Sequence, residues 1–449
     1  MSGMRDEDKT GVRERKGRGE SEYKSPSMPA NSLSSSQRSI SPLSTLLVAL
    51  LSLAVALLAL RTTVSPTSVS ILLPTFSPLR LSRHYSNTAM SSTPSYRQEL
   101  RVAELAVQRA SLLTQKVSQL KAKGTLSKDD TSPVTIGDFG AQALIIQAIK
   151  KNFPDDEIVA EEEASSLREN KALSSQIWEL VKETRLNDTE SDWLVGGQMA
   201  SEEVFLDTLD SGKSAGGPKG RIWALDPIDG TKGFLRGEQY AVCLGLIVDG
   251  DLKVGAIGCP NLPVSDAALT PTVGQSGSEG IETGVLFGTI KGAGSTSRKL
   301  GDGALLPSKP ISMRPVPNIA DACFCESVES GHSAQGDNAE VARLLGITNQ
   351  SIRLDSQAKY CSIARGAGDI YLRLPTRPDY QEKIWDHAAG DLLVREAGGQ
   401  VTDIHGKRLD FSIGRTLKEN KGVVAAPATI HAQVIEAVTA MYAAKAAKA

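Results

Sequence analysis

Ile222-Trp223-Ala224-Leu225-Asp226-Pro227-Ile228-Asp229-Gly230-Thr231 is the stretch on which the reading of this chain turns. Its apolar start predicts a buried strand, so Asp226 and Asp229 emerge together at the strand's C-terminal edge. Hard divalent cations such as Mg²⁺ bind carboxylate and carbonyl oxygens, and they keep waters and substrate phosphates in their remaining positions. Pro227 stiffens the turn, and Gly230 lets backbone N–H groups approach an anion. Thr231 adds a hydroxyl where that anion would sit. An Asp-rich surface turn would use the same residues, so the decision rests on what surrounds them.

The chain has 449 residues and a formal net charge of −2, with 40% hydrophobic and 23% charged residues. That is ample for a large core and excludes a wholly disordered protein. A pI near 6.3 leaves no basic footprint for nucleic acid. A small anionic ligand needs only a local basic pocket and stays open. The five cysteines are Cys243, Cys259, Cys323, Cys325 and Cys361. Their odd number and scattered spacing argue against a disulfide framework and for a reducing compartment.

Residues 1–92 differ from the rest. They are rich in Ser, Pro and Arg, and no acid occurs between Glu22 and Glu99. They read as a disordered or targeting extension. The uncharged run 43–60 is just long enough to span a bilayer. Three readings stand side by side: a membrane anchor, a mitochondrial or other organelle presequence flanked by Arg61, Arg80 and Arg83, or an untranslated extension with Met90 as the working start. The free cysteines favour a cytoplasmic catalytic core.

The remainder divides into an α+β part, 93–258, and an α/β part, 259–449. A helix starts near Ser95, with Val102, Ala106, Ala110, Leu113, Val117 and Leu120 at three-four spacing, and Gly124 closes it. A second helix follows Asp138 and ends before Pro154. Ile158 to Ala160 is a short strand, and Asp249-Gly250 joins two strands as a hairpin. Asp337 with Glu340 suggests a capping box, and Gly346 ends that helix. Ile370 to Leu374 and Gly422 to Ala426 read as strands, and Asp386 opens a helix that closes at Gly398-Gly399. Gly212-Lys213-Ser214 resembles the tail of a phosphate loop, but Asp207 stands where that loop requires glycine.

Five acids therefore fall at element ends: Asp138, Glu161, Asp226, Asp229 and Asp386. Taken singly, an Asp at a helix start is an ordinary cap. Taken together with longer motifs, they make the chain resemble the 3′(2′),5′-bisphosphate nucleotidases, within the inositol monophosphatase-like superfamily of Mg²⁺-dependent, lithium-sensitive phosphatases. The superfamily marks are Trp223 to Thr231 and Trp385-Asp386-His387-Ala388-Ala389-Gly390. The nucleotidase marks are Asp130 to Thr135 leading to Asp138, Lys232 to Tyr240, Asp355 to Tyr360, and Tyr371 to Pro375. The likeness runs from about Ser95 to the C-terminal helix. One departure is Ala160, where glycine usually precedes the Glu pair.

The resemblance implies a layered α/β/α/β/α sugar-phosphatase-like fold. It makes Glu161, Asp226, Asp229 and Asp386, with the Ile228 carbonyl, the ligands of two or three Mg²⁺ ions. It gives Asp138 and Thr231 the task of orienting and deprotonating the attacking water. It sets His332, Ser356, Lys359 and Arg373, with Thr231 and Asp386, against the nucleotide. His387 is left as support for a helix start, and His405 and His431 as surface residues. The implied reaction is hydrolysis of adenosine 3′,5′-bisphosphate to AMP and phosphate, and of 3′-phosphoadenylyl sulfate to adenylyl sulfate, in sulfate assimilation and salt tolerance. A monomer is expected. The alternative is an inositol mono- or bisphosphate phosphatase, and from another class a non-catalytic metal or nucleotide sensor. One inference is independent of the resemblance: carboxylates packed together repel unless cations neutralise them, and metal ions would do so while acidifying a water.

Overall fold

The run containing Asp226 is one strand of a seven-stranded sheet whose order follows the chain. Its strands are β1 (Glu157–Ala160), β2 (Arg221–Asp229), β3 (Ala241–Val248), β4 (Asp251–Pro263), β5 (Thr283–Ile290), β6 (Gly294–Lys299) and β7 (Lys309–Ile311). The computed structural model describes residues 95–123, 133–265, 280–329, 333–377 and 379–448. β1 lies parallel to β2, and every later pair in this sheet is antiparallel. Asp249 and Gly250, both at positive φ, turn β3 into β4 as the hairpin signal predicted. The segment 212–214 adds to the outer edge of β1, with the Ala160 amide donating to the Gly212 carbonyl and the Ser214 amide to the Ile158 carbonyl. Gly212-Lys213-Ser214 is thus an edge pairing, in keeping with its rejection as a phosphate loop.

A second sheet has five strands: β8 (Phe324–Glu326), β9 (Ile352–Arg353), β10 (Ile370–Arg373), β11 (Gly399–Thr402) and β12 (Val423–Pro427), in the order β11-β12-β10-β8-β9. The helices that cover the sheets are α1 (Arg97–Ala122), α2 (Pro133–Asn152), α3 (Lys171–Glu183), α4 (Glu202–Asp210), α5 (Thr231–Arg236), α6 (Gln335–Leu345), α7 (Ala358–Ala364), α8 (Ala388–Glu396) and α9 (His431–Ala446).

Period-two alternation sorts the core into layers. Trp223 and Leu225 of β2 pack with Val102, Ala106 and Ala110 of α1 and Ile145 of α2. Ile222 and Ala224, on the opposite face, share a core with Tyr360 and Ile363 of α7, Leu392 and Leu393 of α8, and Tyr371, Val401 and Ala425 of the second sheet. The far face of that sheet, including Phe324, Leu372 and Val424, meets Val341 of α6 and Val434 and Val438 of α9. The result is the α/β/α/β/α stack that the resemblance implied.

The middle helix α8 sits tight against the first sheet because Gly245 and Gly255 leave room for it. A Cβ on Gly245 would lie 3.0 Å from the Ala388 Cβ, and one on Gly255 3.0 Å from the Ala389 carbonyl oxygen. On the other side of the helix, a Cβ on Gly390 would fall 2.3 Å from the Tyr360 ring, which its own hydroxyl ties to His387 Nδ1 at 2.9 Å. Gly390→Ala is therefore expected to destabilise the protein by about 2 kcal/mol, read as a lower denaturant midpoint with an unchanged slope.

Several expectations are corrected. Asp138 does not open its helix: α2 begins at Pro133, a residue suited to a first helical position, and Asp138 lies inside the second turn. Asp386 precedes α8 by two residues, in the turn before it. The capping box at Asp337 is absent. Helix α6 starts at Gln335, Asp337 pairs with Lys445 at 2.8 Å, and Glu340 pairs with Arg343 at 2.7 Å. The division between 258 and 259 falls inside β4, whose pairing with β3 and β5 spans that point. The first sheet closes only at β7. Gly124 and the segment 43–60 lie outside the described residues. Among the described residues, no helix is long and apolar enough to cross a membrane.

Candidate active site

The ladder between β2 and β3 slips at the decisive stretch. Asp226 pairs with Cys243, yet Asp229 pairs with Ala241, so β2 carries one extra residue there. Such a bulge bends a strand and re-aims its side chains. Pro227, which has no amide hydrogen, falls within it. Gly230, at φ 90°, then turns the chain into α5, whose first residue is Thr231. A Cβ on Gly230 would meet the Ser356 Cβ at 3.0 Å. This close approach brings the loop before α7 against the bulge.

A cavity of about 350 Å³ opens at this junction. Glu161 from the end of β1, Asp226, Ile228, Asp229 and Thr231 from the bulge, and Asp386 from the turn before α8 all line it. So do Ser356, Lys359 and Arg373. Residues more than 200 positions apart in sequence thus converge, as the sequence reading required. Asp138 is not among the lining residues, but it is close enough for its charge to act on Asp226. His332 lies outside the described residues.

The carboxylates crowd one another. Burial raises Asp226 well above the ordinary carboxylate value, and Glu161, Asp229 and Asp386 raise it further. Asp229 is pushed up to about 6 by burial and by Asp386, against the pull of Lys359 and the Gln357 amide. Glu161 is raised to about 8 by loss of hydration and by Asp386, Glu162 and Asp229. Since solvent reaches the Glu161 side chain, crowding by like charges is the cause that the geometry supports there. Burial, Glu162 and Glu161 raise Asp138. Asp386 is also raised by burial, with Arg373 opposing.

The donor set fits a divalent cation. Asp226 Oδ1 is buried with no hydrogen-bond partner, a costly state for a carboxylate oxygen unless a cation meets it. A second acidic group, Glu382 with Asp386 and His387, has its donor atoms within 4.8 Å of one another. That group is instead held as an ion-pair network: Arg373 Nε lies 2.7 Å from Glu382, and His387 Nε2 lies 3.2 Å from the same oxygen.

Two cations complete the pocket, Lys359 buried and Arg373 half-buried. Lys359 donates to the Ser356 carbonyl at 2.8 Å and the Leu354 carbonyl at 3.3 Å. Burial lowers it to about 8 despite Asp229 and Asp355. Arg373 Nη2 sits 3.6 Å from Asp386 and donates to the Tyr380 hydroxyl at 3.3 Å.

Sequence reasoning missed the residues that fix this arrangement. The Gln357 amide donates to Asp229 Oδ2 at 2.5 Å, while its side chain bonds the Trp385 carbonyl at 2.8 Å and the Gly390 amide at 2.9 Å. One glutamine thereby ties the bulge to both the Trp385 turn and α8. Glu382, held low by Arg373 and His387 although burial opposes it, orients Arg373. Tyr380 lines the cavity beside Arg373. Gln357 sits inside a quoted motif and could have been found there; nothing in the sequence marks Glu382 or Tyr380. His387, bonded to Tyr360 and Glu382, has the supporting role expected of it. His405 is exposed as expected, but His431 is buried against Thr402 Oγ1 at 3.1 Å.

Known proteins resemble this chain over most of its length. The model of the inositol monophosphatase family matches residues 95–442. A 3′(2′),5′-bisphosphate nucleotidase of Emericella nidulans is 74% identical over 345 residues, covering 77% of this chain and 98% of that protein. A protein of the same name from Schizosaccharomyces pombe is 50% identical over 352 residues, covering 77% and 96%. The structure of an inositol monophosphatase from Anabaena aligns at 19% identity with a TM-score of 0.46, over 76% of this chain and 95% of that one.

Proposed function

Because the chain belongs to the inositol monophosphatase family, in its branch of 3′(2′),5′-bisphosphate nucleotidases, we propose that it is a Mg²⁺-dependent phosphomonoesterase that converts adenosine 3′,5′-bisphosphate to AMP and phosphate. The observation that carries this reading is the meeting of four carboxylates with two cations, Lys359 and Arg373, in one cavity. The acids suit metal-assisted attack on a phosphate ester. The cations suit a ligand with more negative charge than a single ester carries.

Glu161, Asp226, Asp229 and Asp386, with the Ile228 carbonyl, would hold two or three Mg²⁺ ions. Bound there, the ions would neutralise the carboxylates, polarise the phosphoryl oxygens and make water acidic enough to attack. Thr231 orients the water with its hydroxyl, and Asp138 takes its proton. The water oxygen forms the new bond to phosphorus as the bond from phosphorus to the ribose oxygen breaks in line, and that oxygen takes a proton from solvent to leave as the 3′-hydroxyl. Arg373, braced by Glu382, faces the non-reacting end of the substrate, and Lys359 supplies fixed charge behind Asp229. Ser356 contributes its hydroxyl at the same wall, and His332 completes the nucleotide contacts. The same pocket would accept 3′-phosphoadenylyl sulfate, which connects the reaction to sulfate assimilation. Lithium or sodium at a Mg²⁺ position would inhibit it and link it to salt tolerance. The five free cysteines support a reducing location for the catalytic unit.

The test is phosphate release by the full chain with Mg²⁺, comparing adenosine 3′,5′-bisphosphate with inositol 1-phosphate and inositol 1,4-bisphosphate, with and without Li⁺. A kcat/KM at least about 100-fold higher for the nucleotide is expected from the paired cations, together with loss of release in Li⁺. Preference for an inositol ester would keep the metal site and overturn the roles given to Lys359 and Arg373.

A further inference from the structure

We infer that Arg415 is a positioning residue for the metal site, holding the chain segments of Glu161 and Asp386 in register with each other. The inference rests on the Mg²⁺ reading above. Glu161 and Asp386 come from the end of β1 and the turn before α8, which share no ladder. Arg415 reaches both. Its Nη2 donates to the carbonyl of Ala160, the residue before Glu161, at 2.6 Å. Its Nη1 donates to the Ser214 carbonyl at 3.0 Å, on the segment that pairs with the outer edge of β1. The guanidinium also lies over the ring of Trp385, the residue before Asp386, at 4.9 Å. One planar fork thus bonds one ligand's neighbour and stacks on the other's.

The backbone around Arg415 strengthens the link. Its carbonyl accepts from the Ile384 amide at 3.2 Å, and the Leu417 amide donates to the Glu382 carbonyl at 2.8 Å. Lys383 and Thr416 form an antiparallel bridge between these bonds. The stretch 415–417 therefore acts as a splint along 382–384, the approach to Asp386. On the opposite flank, Gly414 and Gly216 pass so closely that a Cβ on Gly216 would meet the Gly414 backbone at 3.0 Å. The splint is thus wedged between the β1 edge and the Asp386 turn. Residues that orient metal ligands without touching the metal commonly alter metal affinity by about 10–100-fold.

Coulomb's law and positioning predict opposite signs. A guanidinium near a divalent cation repels it, so charge alone predicts tighter metal binding when Arg415 is removed. Positioning predicts weaker binding. Lysine retains the charge but cannot bond two carbonyls and stack at once.

The experiment titrates Mn²⁺ into the full chain, wild type, Arg415→Ala and Arg415→Lys, and reads free Mn²⁺ by electron paramagnetic resonance, with melting curves in chelator as the check on folding. Affinity about 10-fold weaker in Arg415→Ala and partly restored in Arg415→Lys is expected. The half-saturating Mg²⁺ concentration for turnover should rise by the same factor, while KM for the nucleotide at saturating Mg²⁺ stays put. Unchanged or tighter Mn²⁺ binding in a folded Arg415→Ala protein would overturn the inference and leave the metal reading standing. Absence of Mn²⁺ binding by the wild type would overturn both. Should Arg415→Ala fail to fold, a folded Arg415→Lys protein with wild-type Mn²⁺ affinity would overturn the inference on its own.

Discussion

Asp229→Asn is expected to reduce phosphate release by at least about 10³-fold, equivalent to about 4 kcal/mol of transition-state stabilisation, in a protein that stays folded. Asp229 lines the cavity, and its ordinary acidity is already suppressed by burial and by Asp386. An amide keeps the carbonyl oxygen that accepts the Gln357 amide, so the bond that joins the bulge to α7 persists. It loses the negative charge that a Mg²⁺ ion would meet. In chelator, the variant should melt no lower than the wild type, since one member of a mutually repelling group is gone. Turnover at the wild-type rate would remove Asp229 from the metal assignment. A large loss of melting temperature would instead give it a structural role.

In chelator, the wild type is expected to melt about 5 °C higher at pH 5 than at pH 8, the reverse of what salt-bridged acids produce. The sign follows from which state holds its protons more tightly. Asp229 is pushed up to about 6 in the folded protein, and Glu161, Asp226 and Asp386 are raised as well, whereas unfolded carboxyls titrate near 4. Between those values the folded state binds more protons, so stability falls as pH rises. Their contribution is complete below about pH 4 and is lost as the pH rises through about 6, where Asp229 gives up its proton, and beyond. Glu104, raised to about 7 by burial against the pull of Arg298, adds in the same direction. Saturating Mg²⁺ should restore most stability at pH 8 and least at pH 5, because metal binds the deprotonated ligands. Melting curves at the two pH values, with and without Mg²⁺, check this. A metal-free protein equally stable at both would show that the acids do not repel one another.

The lining of the site was readable because its acids sit in long local motifs beside strands with plain alternation. The apolar run and the Pro-Gly turn placed Asp226 and Asp229 at a strand end, and the longer motifs around them separated a site from a surface turn. Two classes of detail were out of reach. Helix starts were set one turn or more off at Asp138 and a few residues off at Asp386 and Asp337, because Asp is a good cap wherever it stands and Pro133 and Gln335 began their helices earlier. The partners that brace the site, Glu382, Tyr380 and Arg415, act through distances in space that no local pattern encodes. Arg415 bonds Ala160 across 255 positions. The domain division failed for a related reason. The break was placed where the pattern turns to alternating strands and helices, but β4 runs on without interruption to Pro263, so the pattern changes inside a strand.

The strand order of the second sheet bears on how the chain is made. β12 is the last strand in sequence, yet it lies between β11 and β10 and pairs with both. A nascent polypeptide that has not yet emerged past Val423 has β11 cut off from the β10-β8-β9 part of its second sheet, and Tyr371 and Arg373 lack their neighbours Ala425 and Val423. The first sheet and its covering helices are complete in sequence by then and can form ahead of it. The pocket wall that carries Arg373 therefore closes only after Val423–Pro427 has emerged, and a message truncated shortly before codon 423 yields a chain with every acidic ligand present and no finished site to hold them.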